Sequence, residues 1–318
     1  MRHSKLKQCL LFSAWLFALP CAARAQVIES VGSRALGMGG AFVAVASDSS
    51  ATWWNPAGLA AGPFLDLALA RAVTERRPDP ARRRDAATWF ALGTPPFGFS
   101  YYRLKVEGIQ GLDPTVTESG SREDRRAGGP VRTLNASQYG ITLVQTLLPG
   151  VHAGATLKYV RGSVDGGATA GAFDADLGVI GVAGALRAGL VVRNVREPEF
   201  GGEPSPVRLD RQIRVGGALD ALAMGGPPVT VAVDADLRRV ETVSGDRRNV
   251  AVGAEGWWFA RRLGVRGGGR FNTAGTRGRA ATAGVSVAVR AGLFLDGHVV
   301  GGGAGDDRGW GVAARVSF

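Results

Sequence analysis

Asp296 and His298 stand two residues apart in a stretch of alternating polarity, so an extended chain turns both to one face. With Ser286 on a neighbouring strand, they would supply the nucleophile, base and orienting carboxylate of a hydrolase. Nothing in the sequence fixes that geometry, and the chain is read as a non-enzyme in which His298 joins a polar network. Asp174 with Asp176 and Asp234 with Asp236 share the same spacing, and Arg187, Arg193, Arg214, Arg266, Arg270 and Arg315 fall on equivalent faces. Enclosed charges of both signs must pair or be hydrated, so they either brace a wall as salt bridges or form a polar path that opens when pairs break. The aspartate pairs lack the loop spacing of a calcium site, and no metal or cofactor is expected.

What positions these charges is a period of two. Val229, Val231, Val233, Ala235 and Leu237 alternate with Thr230, Ala232, Asp234 and Asp236, and Phe173, Ala175, Leu177 and Val179 alternate with Asp174, Asp176 and Gly178. From Phe64 onward the sequence holds fourteen such segments. Ten residues at ~3.3 Å each, tilted by ~40°, rise about 25 Å, the height of the apolar band on a membrane barrel. Longer polar connections alternate with tight turns, as in outer-membrane barrels. The last segment carries Trp310, Val312, Ala314, Val316 and Phe318 on one face, an ending that resembles the address read by the outer-membrane insertion machinery. Trp89, Tyr159, Trp257, Trp258 and Trp310 are expected at strand ends, in interfacial girdles. The Gly-rich segment 263–272 marks a kink, a lateral opening or room for something inside.

The first 25 residues read as an export signal: Arg2, Lys5 and Lys7, an apolar core from Cys9 to Leu19, then Ala23-Arg24-Ala25. Cleavage there removes both cysteines, and with them disulfides and thiolate chemistry. The full chain of 318 residues carries a formal net charge of +11. An exported basic protein does not meet nucleic acid, and its arginines cluster in two loops, Thr74 to Asp85 and Ser121 to Arg132, where anionic head groups of outer-membrane lipid are natural neighbours.

Residues 26–63 do not alternate. They carry a Gly cluster (Gly37, Gly39, Gly40), the apolar run Ala41 to Ala46, and the turn-prone Asn55-Pro56-Ala57-Gly58. The glycines follow no strand and lack the spacing and lysine of a phosphate loop. A short helix is expected around Ala41 to Ala46. Phe42, Trp53, Trp54 and Leu59 cannot stay in water, so the segment is placed inside the lumen, ahead of a barrel over 64–318.

The string Ser33-Arg34-Ala35-Leu36-Gly37-Met38-Gly39-Gly40-Ala41-Phe42-Val43-Ala44-Val45-Ala46, then Asp48 and Trp54-Asn55-Pro56-Ala57-Gly58-Leu59, resembles the amino-terminal signature of the FadL superfamily of outer-membrane barrels, and within it the PorV/PorQ-like branch. The resemblance implies an all-β, fourteen-stranded antiparallel transmembrane barrel in the outer membrane of a Gram-negative-type bacterium, with an N-terminal plug in the lumen. It implies a passive conduit for hydrophobic small molecules, gated by the plug and pivoting on Asn55, Pro56 and Ala57. The alternative it carries is a scaffold barrel whose partners are secretion-system proteins.

Overall fold

The structure is a computed structural model describing residues 23–24, 30–76, 83–110, 131–200, 207–242, 245–275, 277–303 and 307–318. Fourteen strands close into an antiparallel barrel. In order they are β1 (Asp66–Arg76), β2 (Arg83–Thr94), β3 (Phe97–Gln110), β4 (Val131–Leu148), β5 (Val151–Val164), β6 (Ala170–Ala183) and β7 (Leu186–Arg193), then β8 (Gln212–Asp220), β9 (Val229–Asp236), β10 (Asn249–Trp258), β11 (Leu263–Asn272), β12 (Gly278–Arg290), β13 (Leu293–Gly302) and β14 (Asp307–Ser317). Each pairs with its sequence neighbours, and β14 returns to β1 with Asp307 opposite Arg76 and Ser317 opposite Asp66. Closure leaves no strand edge unpaired, and the fourteen strands expected from the alternation are the fourteen observed.

The alternation sorts the two faces as expected. Leu69, Phe99, Ile141, Leu157, Val233, Leu295 and Val312 are exposed on the outer wall, while Asp174, Asp176, Asp234 and Asp236 are buried on the inner one. Arg71, Arg103 and Lys105 interrupt the apolar outer face on β1 and β3. One end of the barrel is closed by tight connections such as 149–150, 184–185 and 291–292, the other by longer ones such as 165–169 and 194–211. The two arginine-rich loops fall largely on residues 77–82 and 111–130, outside the described residues. At the long-loop end Val207–Arg208 pairs with Ala23–Arg24 and Glu199–Phe200 in a small separate sheet.

Three expectations are corrected. Ala41 to Ala46 is one turn rather than a helix, with the Val45 and Ala46 amides both donating to Phe42 O. The amides of Phe42 and Val43 instead donate to Asp234 (2.8 and 2.9 Å), so a wall carboxylate replaces the acceptors a helix would supply. The helical pieces are α1 (Ser33–Gly37), α2 (Ala51–Trp54) and a 3₁₀ turn over Pro56–Ala61. Secondly, Trp89 is buried on the inner face of β2 and Trp257 lies over inward-pointing Arg266, whereas Trp258 and Trp310 are exposed. Thirdly, of the three readings of Gly-rich β11 only room for the inner segment remains, because the strand pairs without a register shift on both sides and Gly268 lies against the Met38 and Gly39 backbone.

Candidate functional site

Residues 30–63 run through the barrel and join β1 at the short-turn end, where Leu65 and Phe318 exchange backbone hydrogen bonds (3.1 and 2.9 Å). Nearly every side chain from Val31 to Leu59 is buried. The inner wall around this segment is of two kinds. On β1 to β5 it is mostly apolar: Ala68, Ala70 and Ala72, then Ala87, Trp89 and Ala91, then Tyr102, Leu104 and Val106, with Leu134, Ala136 and Val160 beyond. From β6 to β14 it carries most of the inward charges, interspersed with buried Ala218, Ala232, Ala251 and Ala313.

The charged sector holds α1 through a chain of contacts that begins and ends in the segment. Arg34 grips Glu255 with two hydrogen bonds (2.7 and 2.6 Å) and donates to Ser47 Oγ (2.9 Å). Arg266 also donates to Glu255 (2.6 Å) and to Ser286 Oγ (2.7 Å), and Ser286 donates to Asp296. Arg315 bridges Asp296 (3.0 Å) and Asp66 (3.3 Å), and Asp66 accepts from the backbone and hydroxyl of Ser49 (2.9 and 2.6 Å). Six consecutive strands, β10 through β14 and β1, are thereby tied to residues 34–49. Burial opposes the Arg34 charge, but the Glu255 carboxylate outweighs it and raises the guanidinium above its ordinary range.

The second half of the segment is held by shape. The Asn55 side-chain amide donates to Val43 O (2.9 Å) and to the wall carbonyl of Val179 (3.1 Å), and its oxygen accepts from the Ala57 amide (3.2 Å). The wall has no side chains where this turn lies. Gly154 pairs with Gly178 across β5 and β6, and a methyl on Gly154 would stand 2.5 Å from Ala57 N, while one on Gly178 would overlap Asn55 Oδ1. Gly253 and Gly268, paired across β10 and β11, leave the same room for the Met38 backbone. Gly39 and Gly40 both adopt left-handed backbone (φ 71° and 87°), and the chain reverses there.

At the long-loop end the chain leaves β7 at Arg193 and turns through left-handed Asn194 (φ 55°). In the described parts of this connection, 194–200 and 207–211, Val207 and Leu209 are buried in the apolar cluster that includes Trp53 and Tyr102. Trp53 packs on Tyr102 (4.8 Å between ring centroids), and the Arg193 guanidinium lies over the Trp53 ring (4.1 Å). Fully buried Lys158 fastens this cover by donating to Asp176 (2.5 Å) and Asn194 Oδ1 (2.7 Å), with Asp174 at 3.2 Å. The Asn194 and Arg196 amides donate to the same two aspartates (2.8 and 2.9 Å). A narrow cleft lined by Trp53, Tyr102, Gln138, Val160, Arg193 and Leu209 opens beneath the cover.

The sequence-derived residues thus separate into groups. Gly37, Gly39, Gly40, Phe42, Trp53, Trp54, Asn55, Pro56, Ala57 and Gly58 all lie inside the barrel. Asp174 and Asp176 meet Lys158; Asp234 caps the Phe42 turn; Asp236 accepts from Arg214 (2.7 Å); Arg266 serves the anchor of α1. Arg187 pairs with Asp220 (3.3 Å) near the short-turn end, and Arg270 with Asp307 (2.9 Å) near the other. Ser286 and His298 do not form a hydrolase site: Ser286 is paired in register with Asp296 and His298 with Gly284, and Ser286 spends its hydrogen bonds on Asp296 and Arg266. Among the described residues no cluster of potential metal ligands occurs. Lys158, Arg34, Glu255 and Asp66 were missed, although Arg34 lies within the amino-terminal signature and Lys158 on a wet strand face.

No family profile matches the chain, and no curated protein matches it in sequence. Solved structures do. The Pseudomonas putida toluene transporter TodX is similar at 13% identity over 93% of this chain and 98% of that chain, with a TM-score of 0.59. A Pseudomonas aeruginosa FadL homologue is similar at 10% identity over 92% of this chain and 100% of that chain, with a TM-score of 0.62. A TodX variant described as a monoaromatic hydrocarbon channel gives 12% identity and a TM-score of 0.61 over 91% of this chain and 98% of that chain. The likeness is one of fold: a FadL-like barrel.

Proposed function

We propose that the protein is an outer-membrane conduit for hydrophobic small molecules, exported after loss of residues 1–25 and plugged by residues 26–63. The apolar outer wall supports the membrane setting, because soluble proteins rarely expose continuous apolar surface beyond a few hundred Å². The observation that carries the transport reading is the apolar inner sector on β1 to β5, which leads to Trp53, Tyr102 and Leu209. Water-filled barrels line their interior with polar side chains, so an alkyl and aromatic lining favours solutes that shed water. The similarity to TodX and to a FadL homologue, named respectively for toluene transport and for that family, points the same way.

In this reading solute enters under 194–211, passes Trp53, and leaves when the plug shifts about Asn55-Pro56-Ala57. The test is uptake of toluene, naphthalene and oleate by cells expressing the barrel, compared with cells expressing Leu104→Asp and Trp53→Arg variants. Faster uptake of at least one solute, lost in both variants while the barrel still assembles, is the expected result. Unchanged uptake across the panel refutes the conduit. Unchanged uptake together with co-purification of secretion proteins would support the scaffold reading instead.

A further inference from the structure

The short-turn mouth has features that the conduit reading does not use. It opens into a cavity of ≈ 700 Å³ bounded by Trp257, Phe294, Arg261, Arg262, Arg290 and Arg315. Asp48 and Asp66 on the same wall are already engaged by Arg34 and Arg315. Arg261, Arg262 and Arg290, on two hairpin turns separated by one strand pair, have no carboxylate partner among the described residues.

The turn that presents Arg261 is strained. Phe259, Ala260 and Arg261 are three consecutive non-glycine residues in the left-handed region (φ 52°, 52° and 64°), an arrangement that persists only where the surroundings impose it. Its effect is to fold the Arg261 guanidinium back over the Trp257 ring (5.0 Å), whose other contacts include Arg266 (5.3 Å) and, edge-on, Phe294 (6.1 Å). Burial and then the positive field of Arg34 hold Arg261 below its ordinary pKa, against the opposing pull of the Glu255 carboxylate. Two more donors are unmet there, Trp257 Nε1 and Arg315 Nη2.

We infer that this mouth docks an acidic polypeptide segment of a partner protein, its carboxylates taken by Arg261, Arg262 and Arg290 and an apolar side chain set against Trp257 and Phe294. Charge stoichiometry selects this occupant. Three guanidiniums without a carboxylate partner, on two turns beside the apolar Trp257 and Phe294, ask for two or three anionic groups and an apolar group spaced along one body, which a monocarboxylate solute does not carry. On the outer-membrane reading short turns face the periplasm, which makes the partner a periplasmic protein, and only that assignment rests on that reading.

The experiment uses the full barrel in detergent micelles and a fluorescein-labelled hexapeptide alternating glutamate and phenylalanine, read by anisotropy. Comparison probes are the same peptide with lysine for glutamate, and octanoate as competitor. The glutamate peptide should bind at least tenfold more tightly than the lysine peptide, weaken with added salt, and lose on the order of tenfold in the Arg261→Gln/Arg290→Gln variant but not in Arg239→Gln at the opposite end. Heat-modifiable migration in gels checks that the variants are folded barrels, and Arg262→Gln alone serves if the double variant is not. Equal binding of the two peptides, or no loss in the arginine variants, overturns the proposal. Displacement by millimolar octanoate also overturns it, in favour of a small organic acid. Because no transport occurs in micelles, a barrel that conducts solute yet ignores the peptide refutes this inference and leaves the conduit standing.

Discussion

Glu255→Gln is the sharpest perturbation of the anchor that holds α1. The wild-type carboxylate is 5% exposed and receives three charged hydrogen bonds, two from Arg34 and one from Arg266. The amide keeps the shape but loses the charge, and leaves two guanidiniums facing a neutral group in a buried site. Breaking a buried pair in this way costs about 3 kcal/mol, the low end for one-sided removal, because Arg266 retains Ser286 Oγ. Every 1.4 kcal/mol is tenfold, so the fraction of molecules with α1 detached rises on the order of 100-fold. The barrel itself should persist, since its closed ladder does not depend on this contact. Ser33→Cys places a thiol in α1, buried and isosteric with the native hydroxyl, in a chain whose native cysteines precede residue 26. Maleimide labelling of Ser33→Cys in the Glu255→Gln background should accelerate by that factor, and the Arg34→Gln/Glu255→Gln double variant should fall short of the sum of its parts. A labelling rate within threefold of the parent would refute the claim that this charge chain fastens the segment.

Three further outcomes are expected. Gly178→Ala should drive a methyl into Asn55 Oδ1 and destabilise the docked segment by about 1–3 kcal/mol, measured by hydrogen exchange of the Ala57 amide, whereas Gly181→Ala, whose added methyl meets open space, should change nothing. Lys158→Met should strand Asp174 and Asp176 without their cation and loosen the cover by about 3–5 kcal/mol; faster exchange at Asn194 and Arg196, partly reversed by adding Asp176→Asn, is the check. In the same cover, burial opposes the Glu197 charge, but hydrogen bonds from Arg208 and the Arg211 amide outweigh it and hold its pKa below the ordinary value. A lowered folded pKa gives stability that is complete above the unfolded value of about 4.3 and is lost as pH falls through the folded one, so Arg211 exchange should quicken on acidification in the parent and be flat in Glu197→Gln.

The strand architecture was legible because a barrel wall between two different media imposes a period of two with almost no exceptions, as β9 shows from Val229 to Asp236. The interior partners were not. Arg34 and Glu255 meet across 221 positions of sequence, and Lys158 looks like any strand lysine until β6 brings Asp174 and Asp176 beside it. Trp89 was misplaced because aromatic type alone suggests a girdle. The usable signal was parity: Ala87 and Ala91 share its face, and Phe90 takes the other. The run Ala41 to Ala46 has helical propensity, but two glycines in left-handed conformation and the Asp234 carboxylate claim its backbone first. Glycines seated under the segment, such as Gly154 and Gly178, cannot be told from turn glycines without the register that pairs them.

The division of the inner wall into an alkyl sector and an ionic sector makes the bore unlike a tube of uniform lining. On the conduit reading, a guest travelling along it would be held sideways as well as lengthwise, greasy flank toward the alanines of β1 and β2, any polar edge toward β6 and beyond. Such a passage would sort molecules by how their polarity is distributed around the waist, a criterion that neither diameter nor overall oiliness captures.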